Sequence, residues 1–261
     1  MIWFKCSGTV RSRPRLASIL VPSSSSSIPR DPLAALTPRV SGRQQDGGFQ
    51  LHTILQTNMA SPIPASMSYE TAVVLPLGLS TVATLLAWGG ASSVDSNAIQ
   101  LAVAAGYEVV TTASLQNFEY VKKLGASQVF DYNSPTVRED LLAALKSKTL
   151  EGVMDCIGDP AWAICVDVAV KVQGNKFVVA TKRGFPDPPD GVNQQGVFGL
   201  TIKNDEVSKA IYEDFLPKAL ETGSYKPALV PLIAGRGLES VQAVVDLQRA
   251  GVSAQEIVVK L

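Results

Sequence analysis

Short apolar runs alternate with amphipathic segments between residues 85 and 181, and this alternation predicts strands and helices in turn. The first predicted strand ends at Trp88 and is followed by a tight turn over residues 89–93. A helix follows this turn, because apolar residues recur at helical spacing at Val94, Ala98, Leu101, Ala102 and Ala105. Residues 106–113 are predicted to form the second strand, which completes a βαβ unit.

The same alternation continues towards the C-terminus. Further strands are predicted over residues 128–132, 152–158, 175–181, 197–202 and 257–261. Helices are predicted over 117–124, over 134–147, from Asp159-Pro160 onward, from about 204–206 and over 238–249. Strands separated by helices indicate an α/β fold with a doubly wound parallel sheet. The loop over 182–195 leaves the carboxyl end of the fifth strand, where open α/β sheets bind ligands.

Residues 46–80 have a different pattern, with a loosely alternating segment over 48–55 and a helix for which Ser68 is the predicted N-cap. The run over 79–88 contains no Gly, Pro, Asn or Asp. A helix that enters this run and a strand that leaves it at Trp88 have no turn between them. One of the two elements must therefore be shortened.

Residues 1–45 are predicted to be a disordered leader, because they combine a serine run, scattered prolines and no sustained periodicity. Arg11, Arg13 and Arg15 precede the first acidic residue, Asp31, which is typical of a mitochondrial transit peptide. The alternative is an unstructured or wrongly assigned leader. The expected location is cytoplasmic, or mitochondrial if residues 1–30 are a transit peptide.

Composition narrows the range of partners and mechanisms. The 261 residues carry 23 basic and 23 acidic side chains, so we expect neither nucleic acid nor a membrane surface as a partner. Three cysteines stand at no zinc or disulfide spacing, and His52 is the only histidine. A zinc-dependent mechanism is therefore not expected, and no metal ligands are predicted.

The turn before the first helix is the candidate phosphate-binding element. Free N–H groups and the positive dipole end at the start of a helix bind phosphate without any side-chain charge. Gly90, Ser92, Ser93 and Val94 are the residues predicted to bind a cofactor here. Written as G-x-G-x-x-G, the turn keeps only the first glycine and ends at Asp95, so its signal depends on the surrounding βαβ pattern.

Several motifs together resemble the medium-chain dehydrogenase/reductase superfamily. They are Trp88-Gly89-Gly90-Ala91-Ser92-Ser93-Val94, the runs 109–114 and 121–126, Val129-Phe130-Asp131-Tyr132 and Gly174-Asn175-Lys176-Phe177-Val178. The nearest branch is that of zinc-binding alcohol dehydrogenase domain proteins, which is similar to quinone oxidoreductases and to trans-acting enoyl reductases of polyketide pathways. The resemblance implies a Rossmann domain over 81–224, a remnant of a GroES-like β domain over 46–80 and a C-terminal return over 225–261. Most of the GroES-like domain has no counterpart, and Asp95 stands where the family has glycine.

The residues after the predicted strands suggest which cofactor binds. An NAD site usually has a carboxylate at the end of the second strand, whereas this chain has Thr112-Ala113-Ser114. A 2′-phosphate would not be repelled there, so NADPH is the predicted cofactor. By resemblance, Ser114, Asn117 and Tyr132 lie where relatives hold that phosphate and the adenosine. The further candidates Ile157, Gly158, Ala180 and Thr181 are expected to line the ribose and nicotinamide side.

The sequence leaves two functions open. The first is zinc-independent, NADPH-dependent hydride transfer to an activated C=C bond, a carbonyl or a quinone of a small-molecule substrate. The alternative is a truncated, catalytically inert nucleotide-binding or scaffold remnant. The sequence identifies no proton donor. A homodimer and a polyketide synthase partner are further expectations from the resemblance.

Overall fold

The computed structural model describes residues 2–4, 32–34, 57–83, 93–181, 186–197, 202 and 206–260. The chain forms two compact units. The first comprises Met1–Gly8 and Thr84–Gly199, and the second comprises Thr9–Ala83 and Leu200–Leu261.

The strands and helices are named here in chain order. They are β1 (Ile2–Phe4), β2 (Pro32–Ala34), β3 (Ala60–Pro62), α1 (Tyr69–Ala72), α2 (Pro76–Ala83), α3 (Ser93–Ala104), β4 (Val110–Ala113), α4 (Phe118–Lys123), β5 (Gln128–Asp131), α5 (Val137–Leu145), β6 (Val153–Asp155), α6 (Ala161–Lys171), β7 (Phe177–Ala180), β8 (Asn193–Gly196), α7 (Glu206–Lys209), α8 (Leu216–Thr222), β9 (Val230–Arg236), α9 (Val241–Ala250) and β10 (Gln255–Lys260). A π-helical segment, Ala210–Phe215, joins α7 to α8.

The first unit is built on a parallel sheet with the strand order β5-β4-β1-β6-β7-β8. Helices α5 and α6 pack on this sheet, and Leu141, Leu145 and Trp162 share a buried core with Val153 and Val178 of the strands. The predicted α/β class with a doubly wound parallel sheet is confirmed. The predicted strands and helices between residues 106 and 181 agree with β4 to β7 and α4 to α6 to within a few residues at their ends.

The central strand of the sheet corrects the prediction of a leader that packs on nothing. Ile2–Phe4 forms β1 between β4 and β6, with Ile2 opposite both Val110 and Val153. A strand in the central position can form backbone hydrogen bonds with both β4 and β6. The apolar Ile-Trp-Phe triplet also has high strand propensity. The entropy cost of the long connection grows only slowly with its length. Composition averaged over 45 residues concealed this triplet.

Two other predicted strands of the first unit have a different outcome. The strand expected to end at Trp88 lies outside the described residues. Most of the strand expected over 197–202 also lies outside the described residues, whereas the loop predicted over 182–195 is corrected, because the edge strand β8 covers Asn193–Gly196 and pairs in parallel with β7. All four β8 side chains are exposed, so no apolar alternation marks this strand in the sequence.

The second unit contains α1, α2 and the C-terminal elements. Ser68 is the predicted N-cap of α1, and its hydroxyl accepts a hydrogen bond from the Thr71 N–H at 3.3 Å. Strands β9 and β10 pair in parallel, and β2 pairs with β3, so Pro32–Ala34 is a second part of the predicted leader that forms a strand. In the core of this unit the Tyr212 hydroxyl lies 2.5 Å from Ser80 Oγ. Helix α2 extends to Ala83 and thus occupies the first part of the turnless run.

Candidate functional site

The carboxyl edge of the parallel sheet brings most of the described candidate residues together. Ala113 is paired with Asp131, and Asp155 is paired with Ala180, so neighbouring strands end at matching levels. The residues that follow, Ser114, Tyr132, Cys156 and Thr181, therefore occupy one edge of the sheet. Ligands of open parallel sheets bind outside this edge.

The β4–β5 end of this edge carries three polar side chains. Asn117 is buried, and its side-chain amide donates a hydrogen bond to Ser114 Oγ at 3.1 Å. The Tyr132 hydroxyl is buried and has no hydrogen-bond partner among the described residues. A buried hydroxyl without a partner costs free energy, so an acceptor or donor supplied by a ligand would stabilise this arrangement.

The loop after β6 is held by Asp155, which sequence reasoning did not single out. Its carboxylate is completely buried and accepts hydrogen bonds from the N–H groups of Ile157, at 2.7 Å, and Gly158, at 2.9 and 3.1 Å. Gly158 has a φ of +93°, a backbone conformation that favours glycine. The signal for this turn is the spacing Asp-x-x-Gly that begins at the last residue of an apolar strand, since it favours a local hydrogen bond between side chain and backbone.

The residue after β7 is tied to the same loop. Ala180 is fully buried at the end of β7, and the Thr181 N–H donates to the Asp155 carbonyl oxygen at 3.0 Å. The Thr181 side chain also forms a hydrogen bond with the Cys156 thiol. The candidates Ile157, Gly158, Ala180 and Thr181 thus lie together around Asp155.

Helix α3 begins beside this loop. Ser93 is its first residue and Val94 is buried, whereas Gly90 and Ser92 lie outside the described residues. Asp95 is completely buried and forms a hydrogen bond with the Cys156 thiol. Burial raises the pKa of the Cys156 thiol well above its ordinary value, and the charges of Asp95 and Asp155 raise it further. Cys156 is therefore a protonated thiol at neutral pH and not a nucleophile.

The described residues form neither a metal centre nor a membrane-spanning helix. Among the residues that the structure describes, no group of three or more His, Cys, Asp or Glu side chains is arranged to hold a metal ion. Within that same part of the chain no helix is long and apolar enough to cross a bilayer.

Known proteins are similar to this chain in sequence and in fold. The profile of the family described as zinc-binding dehydrogenase matches residues 94–215. The zinc-binding alcohol dehydrogenase domain-containing protein cipB of Emericella nidulans is 62% identical over 219 residues, which are 84% of this chain and 68% of that protein. Trans-enoyl reductase himH of Aspergillus japonicus is 37% identical over 240 residues, which are 83% of this chain and 69% of that protein.

A solved structure of a mycobacterial protein complexed with NADPH is similar in fold, with a TM-score of 0.61 and 16% identity over 78% of this chain and 69% of the other. The chain spans little more than two thirds of the length of cipB and himH. The sequence identity to cipB over most of this chain, together with the match to the family profile, shows that this chain is homologous to these proteins. The chain belongs to the medium-chain dehydrogenase/reductase superfamily of oxidoreductases.

Proposed function

We propose that this protein binds NADPH along the carboxyl edge of its parallel sheet and uses it, without zinc, to reduce an activated C=C bond or a carbonyl of a small-molecule substrate. Bound NADPH would supply the hydride for this reduction. The observation that carries the proposal is the buried Tyr132 hydroxyl, which has no hydrogen-bond partner in the described part of the chain. It lies at the edge where a cofactor of this superfamily is expected.

The residues around Tyr132 favour NADPH over NADH. The sequence Thr112-Ala113-Ser114 places no carboxylate at the end of β4, where NAD sites usually accept a hydrogen bond from the ribose 2′-hydroxyl. Ser114, Asn117 and Tyr132 offer neutral hydroxyl and amide donors instead. Such donors bind a 2′-phosphate without the repulsion that a carboxylate would add.

The substrate class is proposed from similarity. The relative himH is named a trans-enoyl reductase, which favours an enoyl compound as the substrate. The zinc-independent mechanism is supported by the residue count, since His52 is the only histidine of the chain. Turnover of an enoyl thioester, an enal or a quinone with NADPH would support this part of the proposal, and NADPH binding without turnover of any of them would support a nucleotide-binding protein.

The cofactor assignment is tested with Tyr132→Phe. We expect this variant to bind NADPH about tenfold more weakly, because one hydrogen bond to a charged group is lost. Thermal stability should be unchanged or slightly higher, since the hydroxyl has no partner in the described residues. Fluorescence titration with NADPH and a thermal melt of the same samples provide the two readouts.

Ser114→Asp is the matched specificity variant. Its carboxylate should repel the 2′-phosphate and accept from the 2′-hydroxyl, so that NADH becomes the preferred cofactor. Unchanged NADPH affinity in both Tyr132→Phe and Ser114→Asp would contradict the proposed site.

A further inference from the structure

Asp155 connects two parts of the candidate site through a single residue. Its carboxylate accepts the N–H groups of Ile157 and Gly158, and its backbone carbonyl accepts the N–H of Thr181. The side chain is fully buried at the end of β6. The loop after β6 and the residue after β7 are therefore held in register by Asp155.

These hydrogen bonds decide what the loop offers to a ligand. A backbone cradle for phosphate needs free N–H groups, and here the N–H groups of Ile157 and Gly158 are already bound to a carboxylate. The negative charge of Asp155 would also oppose an anion at this position. This end of the edge is consequently suited to uncharged polar groups, such as ribose hydroxyls and a carboxamide.

The two ends of the edge thus differ in chemistry. Ser114, Asn117 and Tyr132 present neutral donors with an unsatisfied hydroxyl at the β4–β5 end. At the β6–β7 end, the loop is fixed by an internal carboxylate and flanked by the protonated Cys156 thiol. We propose that Asp155 is a positioning residue that holds the loop after β6 for the nicotinamide riboside half of the cofactor, and that it has no role in binding the adenosine half. This inference rests on the proposed function.

The experiment compares the whole cofactor with a fragment that lacks nicotinamide. Binding of NADPH and of 2′,5′-ADP is measured by calorimetry for the unsubstituted protein, for Asp155→Ala and for Asp155→Asn. We expect Asp155→Ala to weaken NADPH binding by at least about tenfold and to leave 2′,5′-ADP binding within about twofold, because only the β6 loop moves. The NADPH affinity of Asp155→Asn should lie between those of the unsubstituted protein and Asp155→Ala, since its one remaining side-chain oxygen can keep the two hydrogen bonds that Oδ1 accepts. The blue shift of NADPH fluorescence on binding should be reduced in Asp155→Asn and reduced further in Asp155→Ala.

Asp167→Ala is the control for loss of a carboxylate elsewhere in the same unit. Asp167 is partly exposed and forms ion pairs with Arg138 and Lys171, and its removal should change neither affinity. Equal weakening of both ligands by Asp155→Asn, or of neither, would overturn the positioning role. If Asp155→Ala does not fold, Asp155→Asn decides the question alone. If the unsubstituted protein binds neither ligand, the proposed function itself fails, and this inference fails with it.

Discussion

At the scale of single residues, Asp95 is the clearest departure from the superfamily pattern. A glycine at this position usually lets the helix pack closely against the sheet. Here the Asp95 side chain is fully buried and faces Cys156. Burial raises the pKa of the nearby Tyr120 to about 12. The hydrogen bond between the Tyr120 and Ser96 hydroxyls opposes this rise, and the Asp95 charge adds to it. Asp95 thus imposes a negative charge on its surroundings at the start of α3.

This charge predicts how Cys156 responds to substitution. Asp95→Asn removes a negative charge and a strong acceptor, both of which raise the pKa of the thiol, so the pKa of Cys156 should fall while burial still keeps it above its ordinary value. The measurement is the pH dependence of alkylation at Cys156, followed by peptide mass spectrometry. Cys165, which is fully buried in α6, serves as the internal reference. An unshifted pH profile at Cys156 would mean that Asp95 does not act on the thiol.

At the scale of elements, Gly174 lets the segment before β7 pass close to the segment before β6. Gly174 has a φ of +126°, and a Cβ built on it would lie 2.2 Å from the carbonyl oxygen of Leu150 and 2.6 Å from its nitrogen. Leu150 bridges to Gly174, and the Asn175 N–H donates to the Leu150 carbonyl at 2.7 Å. Since the atoms in the way belong to backbone, the contact cannot be relieved by a side-chain rotation.

Gly174→Ala is therefore predicted to be strongly destabilising. We expect a loss of about 3 kcal/mol or more in the free energy of unfolding, from both the clash and the positive φ. Gly191→Ala is the matched control, because Gly191 has a φ of +82° but nothing within 4 Å of a built Cβ. It should lose only about 1–2 kcal/mol. Urea denaturation of the two variants checks the difference, and equal losses would show that the approach to Leu150 is not limiting.

At the scale of the whole molecule, the N-terminal residues and the centre of the sheet form one structure. Ile2–Phe4 pairs with β4 on one side and β6 on the other. A strand in this position links the two halves of the sheet, so its loss should affect the entire first unit.

Trp3→Pro tests this link. Proline removes a backbone donor from a central strand and is expected to cost about 1–3 kcal/mol more than Trp3→Ala, which keeps the backbone donor. Hydrogen exchange at β4 and β6 should accelerate in Trp3→Pro relative to Trp3→Ala. Identical exchange in the two variants would show that the sheet does not depend on β1.

The sequence by itself determined the elements that local pattern encodes. Apolar periodicity and turn residues predicted β4 to β7 and the helices between them, since each of these depends on neighbours along the chain. Parallel strands end at a common edge, so strand ends predicted that Gly158 and Thr181 lie there, whereas Ser114 and Tyr132 were assigned to this edge by the resemblance to the superfamily. The Ser68 cap of α1 was predicted for the same local reason.

Only the tertiary structure decided the features that depend on pairing between distant segments. The choice of Ile2–Phe4 as central strand depends on two open ladders provided by β4 and β6, which no local pattern records. The edge strand β8 likewise exists because β7 offers a ladder, since its own exposed side chains carry no apolar signal. The burial of Asp95 against Cys156 follows from the packing of α3 beside the β6 loop. Backbone hydrogen bonds between strands are satisfied wherever a partner is available in space, and sequence distance limits that choice only weakly.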